Sequence, residues 1–253
     1  MKSNAIVIIP TYKERENIRA MIDTVFNLPK DFDILIVDDN SPDGTPQIVE
    51  QMQREYNDEN TTRLHLLKRH GKLGLGTAYI TGFKYAIEHG YEFILEMDCD
   101  FSHDPKDLIS LYLTCSERGG DVAIGSRYAT GVNVVNWPIG RVLLSYFASS
   151  YVRLITGMPI RDTTAGFVCY RKKVLETIQL DRVKFVGYAF QIEMKFLAWK
   201  FGFTLEEVPI IFTERTRGES KMSAGIFKEA FFGVLQMTIQ SWFKKFLPFG
   251  QST

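Results

Sequence analysis

AIVIIPTYKEREN, residues 5–17, decides the fold. Ala5–Ile9 is short, β-branched and without polar alternation, which suits a strand buried on both faces of a parallel sheet. It ends at Pro10, and a helix follows over roughly Glu16–Asn27, where Ile18, Met21, Ile22 and Val25 recur at helical spacing. The alternation then continues. Ile34–Val37 reads as a strand, Thr45–Tyr56 as a helix, Leu64–Leu67 as a strand, and Gly74 and Gly76 lead into a helix through about His89. Phe93–Met97 is the next strand, Asp104-Pro105 starts another helix with Pro in its first turn, and Val122–Gly125 is a strand. This rhythm predicts an α/β fold with a mainly parallel sheet and crossover helices.

Beyond Gly125 the rhythm changes. A loop over Gly131–Pro138 precedes a long helix near Arg141–Thr156. Phe167–Tyr170 is a strand, Ala189–Phe201 a helix and Leu205–Ile210 a strand, and the tail from Ser223 is a Phe-rich helix. No internal repeat or linker interrupts the chain. The expected organisation is one domain over residues 1–222 and a C-terminal amphipathic helical extension over residues 223–253.

Bulk composition narrows the function. The 253 residues are 45% hydrophobic, enough for one sizeable core. Lys plus Arg balance Asp plus Glu at 30 each, so no basic excess argues for nucleic acid. Three scattered cysteines form no CxxC pair, which predicts a reducing compartment. Met1–Ile9 lacks the charged region, long apolar stretch and cleavage site of a signal peptide. No stretch reaches the roughly 18–20 clean apolar residues of a spanning helix; Ala224–Phe249 is interrupted by Lys228, Glu229, Gln236, Gln240 and Lys244–Lys245.

Open parallel sheets bind ligands at the carboxyl ends of their strands. Three such ends are polar here: Pro10-Thr11-Tyr12-Lys13-Glu14, Val37-Asp38-Asp39 and Asp98-Cys99-Asp100. Carboxylates such as Asp39 or Glu14 accept hydrogen bonds from a base or ribose. Two carboxylates on one turn, Asp98 and Asp100, can hold a hard divalent cation whose remaining ligands are phosphates and water. DxD alone is also a common surface turn; its place after a buried strand, beside other strand-end carboxylates, favours the metal.

The second half supplies cations. Arg141 and Ser145 stand at i, i+4, on one helix face that can grip a phosphate. Arg153 and Arg171 read as solvated charges. Glu214–Lys221, polar and Gly-containing, suits a mobile lid. His65, His70, His89 and His103 lack zinc-ligand spacing with the cysteines. KLGLG lacks the Lys-Ser/Thr of a phosphate loop, so a tight turn is expected there, and PTYKER stands where a dinucleotide-binding GxGxxG would join the first strand to its helix.

Together the motifs resemble glycosyltransferase family 2 and, within it, the dolichol-phosphate (polyprenyl-phosphate) mannose synthase branch. The matching segments are IIPTYKEREN (8–17), VDDNSPDGT (37–45), GLGTAY (74–79), MDCDFSHDP (97–105), GSRY (125–128), DTTAGF (162–167) and ERTRGESK (214–221). They occur in the family's order and span almost the whole chain. VDDxSxDGT and DxD mark only the broad family; DxDxSH, GSRY and ERxxGxSK are more specific to the branch.

The resemblance implies a GT-A fold, Rossmann-like and metal-dependent, and inverting transfer of mannose from GDP-mannose to a dolichyl or polyprenyl phosphate. It implies donor contacts from Pro10, Tyr12, Glu14, Val37, Asp39, Asp98, Cys99, Asp100, Arg127, Arg215 and Lys221. Acceptor-phosphate contacts would come from Arg127, Arg141 and Ser145, and the catalytic set would be Asp98, Asp100 and Arg127. Mg²⁺ or Mn²⁺ would be held by Asp100 first, with Asp98 and Ser102; a relative places Gln where Ser102 stands, and a water can replace that amide. The short form lacks C-terminal transmembrane helices. Its tail, with Phe227, Phe231, Phe232, Leu235, Ile239, Trp242, Phe243, Phe246 and Phe249 beside Lys228, Lys244 and Lys245, suits peripheral contact with the cytoplasmic face of a membrane. Packing on its own domain or on a neighbouring subunit is equally open, and a small membrane-anchor protein is a further possible partner. Alternatives are a UDP-glucose or other nucleotide-sugar donor, a saccharide or protein hydroxyl as acceptor, and a catalytically silent sugar-nucleotide-binding subunit.

Overall fold

The computed structural model describes residues 3–187, 189–214, 224–242 and 246, with side chains in the last helix from Phe231 onward. The strands are β1 (Ala5–Thr11), β2 (Asp33–Asp38), β3 (Leu64–Lys68), β4 (Phe93–Glu96), β5 (Val122–Ser126), β6 (Val134–Val135), β7 (Val168–Arg171), β8 (Leu205–Pro209) and β9 (Phe212–Thr213). The helices are α1 (Ile18–Phe26), α2 (Thr45–Tyr56), α3 (Leu75–Glu88), α4 (Asp107–Ser116), α5 (Ile139–Thr156), α6 (Lys172–Ile178), α7 (Ala189–Lys200) and α8 (Ala224–Trp242).

Seven strands form one sheet in the order β3-β2-β1-β4-β7-β5-β8. Only β7 runs against the rest, antiparallel to both β4 and β5. The apolar strands are buried on both faces because two cores sandwich the sheet. Ile6, Ile8, Leu35, Val37, Ile94 and Tyr170 pack toward α3, α6 and α7. Ala5, Val7, Ile9, Ile34, Ile36 and Leu95 pack toward α1, α2 and α4. Contact is close where α3 crosses β1: a Cβ on Gly82 would lie 2.6 Å from Ile8 Cγ2.

The strand order turns between β1 and β4, since the chain builds β2 and β3 on one side and then returns to the other. β1 pairs with β2 through Thr11↔Asp38, but with β4 only through Ile8↔Glu96. The amide of Met97 donates to Ile8 O (3.2 Å), so Ile8, and by two-residue alternation Pro10, faces β4. Pro10 lacks an N–H where the ladder to β4 has already ended. The strand therefore runs one residue past Pro10, at the switch in strand order where open sheets of this kind form their ligand crevice.

Several sequence expectations shift. The helix expected from Asp104-Pro105 begins at Asp107, after a turn in which Asp107 N–H donates to Asp104 O (3.0 Å). β6, β9 and α6 were not expected; β6 and β9 pair in a small separate sheet. Arg171 is not a solvated charge: its Nε–H donates to Cys115 O (2.9 Å) and Gly120 O (3.1 Å), tying β7 to the end of α4. Arg153 is exposed.

The tail helix α8 lays Val234, Met237, Thr238 and Ser241 against α5 and α7. Tyr151 of α5 stacks on Phe231 (centroids 4.6 Å apart) and donates to its carbonyl oxygen (3.0 Å). Among the described residues, no helix is long and apolar enough to cross a membrane.

Candidate active site

The polar strand ends of β1, β2 and β4 converge at the crevice. Asp38 and Asp39 divide their work by alternation. Asp38 is fully buried and accepts from Thr11 Oγ1 (2.7 Å), Ser41 N (2.8 Å) and Ser41 Oγ (2.7 Å), while Lys13 N donates to that same Ser41 hydroxyl (3.0 Å). Asp38 thereby staples the loop after β1 to the loop after β2. Asp39 points the other way and meets Arg69, which follows β3, at 3.1 Å, with both side chains about nine-tenths buried. Arg69 also donates to Thr77 Oγ1 (2.6 Å). The Arg69–Asp39 contact is an ion pair without hydrogen-bond geometry: Asp39 Oδ1 and Arg69 Nη1 each lack a hydrogen-bond partner. Burial pushes the Asp39 carboxyl up and Asp38 adds to that, while Arg69 opposes it. Arg69 was missed from sequence, although its place at a strand end was the available signal.

Pro10 and Val37 lie side by side in the β1–β2 register. Val37 is fully buried. Tyr12 is half-buried, with the Lys13 and Lys72 ammonium groups 5.6 and 5.1 Å from its ring centre. Glu14 accepts from Asn17 Nδ2 (3.0 Å), and its amide donates to Thr45 Oγ1 (3.1 Å).

Asp98-Cys99-Asp100 follows β4, with Cys99 and Asp100 already in the turn. Cys99 is buried among the α1/α2/α4-side apolar residues, and burial pushes its thiol well up. Asp98 is half-buried and accepts a long bond from Tyr79 Oη (3.5 Å), a residue of GLGTAY. Asp100 Oδ1 accepts from Ser102 N (3.0 Å), and Ser102 O accepts from Thr213 N (3.0 Å), which couples this turn to β9. Among the described residues no three His, Cys, Asp or Glu side chains gather as a metal cluster. Two carboxylates on one turn still match a hard cation that draws its other ligands from substrate phosphate and water.

The ring of His103, just beyond the Asp100 turn, stacks on Phe167 (4.7 Å) and meets Phe212 edge-on (5.1 Å); burial lowers its pKa to about 4, and its buried Nδ1 has no hydrogen-bond partner.

Across the crevice stands a cationic wall. Arg127 follows β5, and its guanidinium is held by Asp162: Nε to Oδ2 at 2.7 Å and Nη2 to Oδ1 at 2.6 Å, with the Arg127 amide also donating to Oδ2 (3.0 Å). Nη2 also donates to Thr164 Oγ1 (2.8 Å). Burial alone would raise the fully buried Asp162, but the Arg127 charge and hydrogen bonds outweigh it and hold the carboxyl below its usual range. The Arg127 guanidinium lies 5.7 Å from the ring centres of both Trp137 and Phe212. Arg141, on α5, stacks 4.2 Å over Trp137 and pairs with Glu214. Ser145, one turn on, accepts from Tyr128 Oη (2.8 Å). Arg127, Arg141 and Ser145 thus share one wall. Asp162, Thr164 and Trp137 complete it and were not singled out from sequence; DTTAGF was the available signal for the first two. Arg215 and Lys221, with most of the expected lid, lie outside the described residues.

The outer face of α5 is unusual. Arg141 and Ser145 lie toward the domain with buried Ser149, Val152 and Thr156. On the opposite side Ile139, Leu143, Phe147 and Leu154 are 74%, 48%, 63% and 82% exposed. Neighbouring α8 adds exposed Phe232, Ile239 and Trp242. A contiguous apolar face of this kind marks an interaction surface.

A mainly parallel sheet whose acidic strand ends meet at the point where strand order turns, opposite a cationic wall, defines the GT-A class of glycosyltransferase. Comparison with known proteins gives the family: the Glycosyl transferase family 2 model matches residues 6–179, and the chain belongs to that family. It is 44% identical over 235 residues to the polyprenol monophosphomannose synthase of Mycolicibacterium smegmatis, covering 93% of this chain and 87% of the relative. It is 41% identical over 225 residues to the undecaprenyl-phosphate mannosyltransferase of Micrococcus luteus, covering 89% and 90%. Among solved structures it resembles glucosyl-3-phosphoglycerate synthase from Mycobacterium tuberculosis in complex with Mn²⁺, UDP and glucosyl-3-phosphoglycerate, with a TM-score of 0.63 at 14% identity, covering 92% of this chain and 79% of that one. It also resembles a mannosyltransferase from Pyrobaculum calidifontis in complex with GDP-mannose and Mn²⁺, with a TM-score of 0.55 at 15% identity, covering 95% and 74%. These two likenesses are of fold.

Proposed function

We propose that this glycosyltransferase moves mannose from GDP-mannose to a polyprenyl or dolichyl phosphate, with inversion, at the cytoplasmic face of a membrane. The single observation that carries the reading is the two-faced α5: Arg141 and Ser145 on the inner side, an exposed apolar stripe on the outer. A lipid phosphate needs both, a cationic grip for its head and a lipid-facing surface beside it. The names of the two relatives, both concerned with polyprenyl-phosphate mannose, agree with that chemistry.

Donor contacts are assigned to Pro10, Tyr12, Glu14, Val37 and Asp39, with Arg69 added. The Asp98–Asp100 turn would take the diphosphate, and Asp100 with Asp98 would hold Mg²⁺ or Mn²⁺ there, with Ser102 the less direct candidate. Arg215 and Lys221 are assigned to the donor phosphates. The metal, when bound, neutralises the departing diphosphate. Arg127, Arg141 and Ser145 hold the acceptor phosphate in line, with Arg127 between two mutually repelling anions. A phosphate monoester has its second pKa near ~6, so the nucleophile is already ionised at neutral pH and needs no dedicated base. Catalysis is then positioning and charge control. Membrane contact is assigned to the shared outer face of α5 and α8, and a separate anchor protein remains compatible with it.

The test is transfer of radiolabel from a panel of nucleotide-sugars into an organic-extractable lipid, with polyprenyl phosphate, Mg²⁺ or Mn²⁺, and an EDTA control. Label from GDP-mannose alone, abolished by EDTA and by Asp100→Ala in a folded protein, is the expected result. Label from UDP-glucose would replace the donor. Donor binding without turnover would favour a sugar-nucleotide-binding subunit. Full activity of folded Asp100→Ala would remove Asp100 from the metal site.

A further inference from the structure

Behind the cationic wall stands a carboxylate to which the proposed function assigns no substrate contact. Glu207 lies on β8 and is paired in register with Ile124 of β5. Its Oε1 accepts from Ser126 Oγ (2.7 Å) and from Asp162 N (2.8 Å), and its Oε2 accepts from Arg161 N (2.8 Å). Three donors, one at the end of β5 and two in the loop between α5 and β7, therefore converge on one side chain. Each of these segments leads on to the wall. Asp162, with its amide fixed by Glu207, grips the Arg127 guanidinium through both carboxylate oxygens. Ser126, with its hydroxyl proton given to Glu207, accepts from Tyr128 N (3.2 Å), and Tyr128 Oη reaches Ser145 (2.8 Å). Arg161 closes the same junction by donating to Ala129 O (2.7 Å). Lys195, fully buried on α7, holds the far end of the Asp162 loop through Ala165 O (2.6 Å).

We propose that Glu207 is the positioning residue of the acceptor-phosphate site, setting Arg127 through Asp162 and Ser145 through Ser126 and Tyr128. The assignment rests on the functional reading above for the word acceptor, but not for the geometry. The chemistry requires a carboxylate rather than any polar side chain. All three groups facing Glu207 donate, and a carboxylate is acceptor-only with two oxygens. In Glu207→Gln one of those oxygens becomes an NH₂, which confronts an N–H or O–H donor whichever way the amide is turned. Either way the NH₂ meets a backbone N–H of Arg161 or of Asp162, adjacent residues of one loop, whereas the Ser126 hydroxyl can turn to accept; the loop that carries Asp162 must then shift, and Arg127 with it. A shift of this size next to reacting groups lowers turnover even when the fold is intact.

The experiment has two readouts. The first is hydrogen exchange of the Arg127 Nε–H followed by ¹⁵N NMR, with the signal assigned by its loss in Arg127→Lys. In wild type the buried bond to Asp162 protects it; in Glu207→Gln exchange quickens by roughly tenfold or more, the scale of a lost hydrogen-bond partner. The second is steady-state transfer to polyprenyl phosphate, where the acceptor KM rises by about tenfold and the donor KM changes by less than about threefold. Unchanged exchange, or faster exchange with a wild-type acceptor KM, overturns the proposal. If wild type transfers no sugar, the functional reading fails on its own, and the exchange measurement still decides whether Glu207 holds Arg127. Should Glu207→Gln fail to fold, Ser126→Ala removes only the Tyr128 branch: acceptor KM is expected to rise by roughly threefold with Arg127 exchange unchanged, and a wild-type KM overturns that branch.

Discussion

Replacing Asp162 with Asn removes one charge from the Arg127–Asp162 pair and almost nothing from its shape. Asp162 is fully buried and accepts two bonds from the guanidinium and one from the Arg127 amide. Taking one partner from a buried ion pair costs about 3–5 kcal/mol, because the other charge is left unpaired. The Arg127 side chain is 11% exposed, so water relieves part of that, and about 3 kcal/mol is the expected loss at pH 7. In a chain of this length each kcal/mol moves Tm by roughly 2–4 °C, which gives a fall of about 6–12 °C. The pH dependence fixes the cause. The folded-state pKa of Asp162 is depressed, so its contribution is present above the unfolded value near ~3.9 and is lost as pH falls through the folded value. Urea unfolding followed by circular dichroism across a pH series reads both quantities. The gap between wild type and Asp162→Asn should be full at neutral pH and should narrow only below about pH 4. A gap under about 1 kcal/mol at pH 7, or one that widens as pH falls, would refute the reasoning.

Three further outcomes are expected. Gly82→Ala drives a Cβ to 2.6 Å from Ile8 Cγ2 at the α3–β1 crossing, and overpacking of this kind costs about 1–3 kcal/mol, read as a lower urea midpoint with unchanged slope. Arg69→Ala leaves Asp39 buried without its cation; calorimetry should show GDP binding weakened by roughly tenfold, and an unchanged Kd would remove Arg69 from the donor cleft. Phe147→Glu combined with Leu154→Glu changes two side chains that are 63% and 82% exposed, so melting should stay within about 2 °C of wild type while flotation with anionic liposomes is lost. Retained flotation would move the membrane contact elsewhere.

The sequence by itself determined the parallel half of the sheet and its polar strand ends. Ala5–Ile9, Ile34–Val37 and Val122–Gly125 are apolar throughout, and only strands covered on both faces need that pattern. The sequence also put Asp98 and Asp100 together on one turn after a buried strand. Tertiary structure alone decided the pairings. Nothing local in Phe167–Tyr170 reveals that β7 enters between β4 and β5 in the opposite direction, because strand direction is a property of the neighbours. Asp38 and Asp39 are the same residue type side by side, yet one staples two loops and the other meets Arg69, which only the fold of β3 brings near. The sequence put Arg141 and Ser145 on one face of α5, but which stripe faces the domain depends on what the domain offers, and here it offers a polar wall. Arg127 and Asp162 are 35 residues apart, and Ser126 and Glu207 are 81. Sequence periodicity reaches a few residues along one element; a buried charge finds its partner across the fold because low dielectric penalises leaving it alone.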